Sequence, residues 1–120
     1  MRTLEEIRNN PLIMMHLRFD LTPGEVLKPI GTKTEADLKG QAGFFFCIDN
    51  DNNRPRLVLL HMLPDGWGSP DYVSDFPEDM LRDAVRDAGG DIKGGFYPIN
   101  KPIADLLQMG LRIAGKKRRS

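Results

Sequence analysis

Two apolar runs constrain this chain more than anything else in it: Phe44-Phe45-Phe46-Cys47-Ile48 and Leu57-Val58-Leu59-Leu60-His61-Met62-Leu63. Within each run, successive positions are apolar regardless of parity. A strand made from either would therefore bury both of its faces. The segment between them, Asp49 to Pro55, is polar and rich in turn formers, so the runs read as the arms of one hairpin at about 42–49 and 56–63. Such a hairpin cannot stand alone in water. It needs a layer above and a layer below, and the rest of the chain has to supply them.

The flanking segments offer the candidates. Thr3 and Glu6 have capping-box spacing, which predicts a helix over 4–10 that stops before Pro11. From Ile13 to Leu21 apolar and polar residues alternate, predicting a strand with Ile13, Met15, Leu17, Phe19 and Leu21 on its buried face. Thr22-Pro23-Gly24-Glu25 predicts a single helical turn, and Thr34 to Lys39 a short helix capped by Gly40. Beyond the hairpin, Pro77 opens a helix whose Leu81, Ala84, Val85 and Ala88 recur at helical spacing before Gly89-Gly90 ends it. Ile92 to Tyr97 reads as a glycine-weakened edge strand. Asn100 caps a last helix, Pro102–Ala114, that stops at Gly115. Its apolar stripe is Ile103, Leu106, Leu107, Gly110 and Ala114, yet Met109, Leu111 and Ile113 fall outside it. That surplus implies burial on a second side, or contact with another subunit.

These elements predict an α+β fold: a mostly antiparallel sheet of about four strands, the hairpin at its centre, and two C-terminal helices packed on it. A length of 120 residues suits one domain, 1–120, with 116–120 as a basic frayed tail. Seventeen basic residues balance seventeen acidic ones, so no excess charge draws the chain to nucleic acid. The apolar runs are far shorter than the ~20 residues of a membrane helix. The start of the chain lacks the apolar core of a signal peptide, and Cys47 is the one cysteine. A reduced, cytoplasmic setting is the simplest reading. Charge is nonetheless uneven along the chain. Residues 65–87 carry seven acids against Arg82 and Arg86, a net of −5, and residues 88–120 carry a net of +5. Such polarity can steer a charged partner or pair two copies head to tail.

Most chemistry-bearing residues have a plainer explanation. Asp49-Asn50-Asp51-Asn52-Asn53 imitates a calcium loop, but Arg54 stands where that loop needs glycine and Leu60 where it needs glutamate. His16 and His61, the two histidines, show no metal-ligand spacing, and no metal or cofactor is expected. Cys47, in a central strand, should be buried and inert. Gly89-Gly90 and Gly94-Gly95 lack the residues of a phosphate loop, and Asn100-Lys101 offers only a generic helix-start anion site. The segment Leu63 to Tyr72 stands out, because it holds the lone Trp67 between two glycines, directly after the strand that carries His61. Loops anchored on strands commonly carry recognition residues, though Trp67 could equally serve as a lid on the core.

Two classes of function remain. The first is a small binding or accessory protein that acts through protein–protein contacts and associates with itself as a homodimer. Trp67, Asp71 and Tyr72, with the acidic helix, would form its recognition surface. The second is a small enzyme or ligand-binding domain with a pocket near His61 and Trp67, also lined by Asp65 and Asp71. There His61 would be the general acid/base, oriented by a carboxylate such as Asp65. The lack of a catalytic signature favours the first.

Overall fold

The computed structural model describes residues 1–19, 43–51, 54–63, 66–67, 70–89 and 96–119. In chain order the elements are α1 (Leu4–Arg8), α2 (Pro11–His16), β1 (Leu17–Arg18), β2 (Gly43–Asp51), β3 (Arg54–Leu63), β4 (Gly66–Trp67), β5 (Asp71–Tyr72), α3 (Glu78–Asp87), β6 (Phe96–Pro98) and α4 (Lys101–Arg119). The short helices expected at 22–25 and 34–39 lie outside the described residues.

Thr3 caps α1 as its spacing predicts, with Oγ1 accepting the Glu6 N–H at 3.1 Å. Pro11, read from sequence as a stop, is instead a start. The Asn10 side chain accepts the N–H groups of Leu12 at 3.0 Å and Ile13 at 3.2 Å, and Pro11 fits the first turn that follows. The strand expected from Ile13 to Leu21 is corrected accordingly: among its described residues, 13–16 are helical, as part of α2, and Leu17–Arg18 are extended. A cap and a favourable proline outweigh a short alternating pattern. Ile13 enters the core, while Met15, expected beside it, is 78% exposed.

The hairpin forms where both faces were expected to be buried. β2 and β3 pair antiparallel from Gly43↔Met62 to Asp51↔Arg54, which confines the link between them to residues 52–53. The outer edge of β2 pairs with β1 in parallel at Phe44 and Phe45, then with β6 antiparallel from Cys47 to Asp49. The outer edge of β3 pairs with β4 at Met62 and Leu63 and with β5 at Val58 and Leu59, both antiparallel. The six strands therefore lie in four rows, mostly antiparallel, around the central hairpin. The segment 63–72, expected as a loop, contributes two of these strands, because the backbone of buried Val58 and Leu59 requires hydrogen-bond partners. Arg2 extends that edge further, donating its N–H to the Tyr72 carbonyl and accepting from the Ser74 N–H, both at 2.8 Å.

Alternation along the hairpin sorts the core into two clusters. Phe44, Phe46, Ile48, Leu57 and Leu59 face one way, joined by Tyr97 of β6, and all four helices pack onto them. The helices contribute Ile7, Ile13, then Leu81, Ala84 and Val85, then Ile103, Leu107 and Leu111. Each fully buried leucine or isoleucine is worth about 2 kcal/mol. Phe45, Cys47, Val58, Leu60 and Met62 face the other way with Phe96, and Tyr72 packs at their margin. Among the described residues, strands alone build this second cluster. No described helix is long and apolar enough to cross a membrane.

The last helix differs from expectation in two respects. Asn100 caps it, its Oδ1 accepting the Ile103 N–H at 3.2 Å, but the helix passes Gly115 and runs to Arg119. A glycine without a following proline lowers helix stability and does not end it. The buried stripe is Ile103, Leu107 and Leu111; Leu106 and Gly110, expected within it, face outward with Met109.

Candidate functional site

Among the described residues, those singled out in the sequence are held by different neighbours. His61 stacks flat on Phe44, its strand partner, with ring centroids 4.2 Å apart and planes within 8°. Asp71 is ion-paired with Arg2. Tyr72 belongs to the opposite sheet face from the Phe44–His61 stack. Trp67 pairs through its backbone with Met62, the neighbour of His61, and Asp65 lies outside the described residues. His16, expected in a strand, closes α2, where its Nδ1 lies 3.0 Å from the Leu12 carbonyl oxygen.

What Tyr72 does meet is a small polar cluster at the end of the second face. Its hydroxyl donates to Asp49 Oδ2 at 2.8 Å. The Arg56 guanidinium lies 3.9 Å from the Tyr72 ring centroid and 3.5 Å from the same carboxylate. The Asp49 side chain is only 15% exposed, so its charge is satisfied from within the fold. Asp49 and Arg56 are direct cross-strand partners. Once the hairpin register is known their pairing can be read from sequence, but the arrival of Tyr72 through β5 cannot. The arrangement locks β5 to the hairpin and engages the Asp49 carboxylate within the fold. Beneath it, burial first and the Asp49 charge second push the Cys47 thiol well above its ordinary range. A thiol held protonated in this way is not a nucleophile. Among the described residues, no three metal-ligating side chains come together.

Two concave features stand out among the described residues. The first lies where β1 ends and β6 begins along β2, with Phe46 falling between the two pairings. This cavity of about 160 Å³ is walled by Phe19, Phe45 and Phe46, with Arg18 and Lys101 at its polar side. Its volume falls below the roughly 300–1,000 Å³ of ordinary ligand pockets. Its polar groups are also engaged: Lys101 bonds Asp105 at 3.0 Å, and Asn100 holds both the helix start and Asp87. The second is an apolar groove of about 230 Å³ between α1 and α4, walled by Leu4, Phe76, Leu106, Leu107, Gly110 and Leu111, with Arg8 at its rim. Beside it Leu106 is 47% and Met109 60% exposed. An apolar groove flanked by exposed large side chains is the kind of surface that docks another protein. Set against known protein families, curated proteins and solved structures, the chain matches none.

Proposed function

We propose that this protein is a binding module that works through protein–protein contacts and associates with a second copy of itself through the groove between α1 and α4. The observation that carries this reading is the groove itself, with Leu106 and Met109 left in water beside it. Leaving those two side chains 47% and 60% exposed forfeits roughly 1–2 kcal/mol each relative to burying them fully, which a partner would recover. Charge supports a copy as that partner, because the acidic stretch 65–87 and the basic stretch 88–120 complement each other between molecules. The alternative, an enzyme or ligand-binding domain centred on His61 and Trp67, is less well served. The His61 ring is occupied with Phe44, and the Asp71 carboxylate with Arg2.

Sedimentation velocity across about 1–100 µM tests the proposal. The wild type should sediment as a dimer, and the double variant Leu106→Glu, Met109→Glu as a folded monomer. A wild type that stays monomeric throughout would overturn it.

A further inference from the structure

We infer that two copies associate by crossing α4 against α4 in antiparallel orientation, with the two Gly110 backbones at the point of closest approach; this rests on the groove between α1 and α4 being a self-association surface. Gly110 sits in the interior of a helix of 19 residues. A Cβ built there meets nothing within 4 Å, so no contact inside the chain requires glycine at that position. Glycine nevertheless disfavours the helix about fivefold relative to alanine. What a bare position does offer is room for another backbone, since helices approach most closely where the side chains between them are smallest. Leu106, one turn earlier, and exposed Met109 flank the spot and would close around such a crossing.

Charge sets the direction. A two-fold contact centred on residue 110 places each position as far before 110 opposite one equally far after it in the other copy. The four consecutive bases Lys116 to Arg119 then run alongside residues 101–104 of the other molecule. At that end of α4 Asp105 is ion-paired with Lys101, and Asn100 holds Asp87 of the acidic helix α3 at 3.0 Å, so no excess positive charge faces the four bases there. A parallel crossing would instead set two runs of four positive charges side by side. The antiparallel helix dipoles add to the same preference.

Disulfide trapping in the full chain tests the crossing. Gly110→Cys should form an interchain disulfide at least about tenfold faster than Leu12→Cys, an exposed α2 position away from the groove, since a disulfide needs Cα atoms within about 7 Å. Cys47, with no exposed surface, does not compete in the folded protein. In parallel, Gly110→Ala should keep the fold and raise the dimer dissociation constant about tenfold or more. A wild-type dimer in which Gly110→Cys traps no faster than Leu12→Cys, or in which Gly110→Ala leaves the dissociation constant unchanged, overturns the crossing while self-association stands. A wild type that is monomeric throughout overturns both.

Discussion

Gly43 opens β2 with φ near +141°, a backbone conformation that residues with a Cβ rarely adopt. A methyl group added there would lie 2.8 Å from the His16 carbonyl oxygen and 3.2 Å from Arg18 Cδ. The Arg18 side chain can swing aside; the carbonyl cannot, because it belongs to the turn of chain that passes from α2 into β1. Holding alanine at such a φ costs about 1–3 kcal/mol. Relieving the methyl–carbonyl contact means easing β1 away from β2, at about 1 kcal/mol for each hydrogen bond lost. The reduced freedom of the unfolded chain returns about 0.4–1 kcal/mol. Gly43→Ala should therefore destabilise by about 2–3 kcal/mol and lower the urea midpoint by about 1–2 M. Far-UV circular dichroism through a urea titration is the assay, with Gly89→Ala as the reference. Gly89 also has a positive φ, near +102°, but a methyl there meets nothing within 4 Å. It should cost only the backbone strain, about 1 kcal/mol. If Gly43→Ala costs no more than Gly89→Ala, then β1 does not press on β2 as described, and the argument from the His16 carbonyl fails.

The Cys47 thiol titrates higher in the folded protein than in the unfolded chain. Its contribution to stability is whole below the unfolded value of about 8.5 and is lost as pH rises from there toward the folded value, because the unfolded chain releases a proton that the folded one keeps. The difference between wild type and Cys47→Ala in unfolding free energy, read from urea titrations, should thus narrow above about pH 8.5, by up to about 1.4 kcal/mol per pH unit; a constant difference up to about pH 10 would contradict the burial of the thiol. In the polar cluster, Tyr72→Phe should cost about 1 kcal/mol, since Asp49 retains Arg56, and Asp49→Ala about 2 kcal/mol, since it strips a partner from both. Thermal melts of the two single variants and the double variant would show whether these costs are coupled, and simple additivity would deny that the three groups act as a unit.

What the sequence by itself determined is the centre and its covering helices. Phe44 to Ile48 and Leu57 to Leu63 are apolar at both parities, and a segment like that has no stable place except between two layers. The caps at Thr3 and Asn100 and the Leu81–Ala84–Val85 stripe were likewise legible, because each is a local event settled within one or two helical turns. The start at Pro11 is also a local event, since Asn10 immediately before it is a cap residue whose side chain outweighs the alternation that follows. Only the tertiary structure decided the rest. It paired Gly66–Trp67 and Asp71–Tyr72 with β3, set Tyr72 against Asp49 and Arg56, and turned Leu106, Met109 and Gly110 outward while Leu111 went in. The reason is the same in each case. A strand of two residues has no periodicity to read, and a helix with apolar residues on several sides can be rolled onto its sheet in more than one way. Which face is buried then depends on what the neighbouring elements, here α1 and α3, leave uncovered.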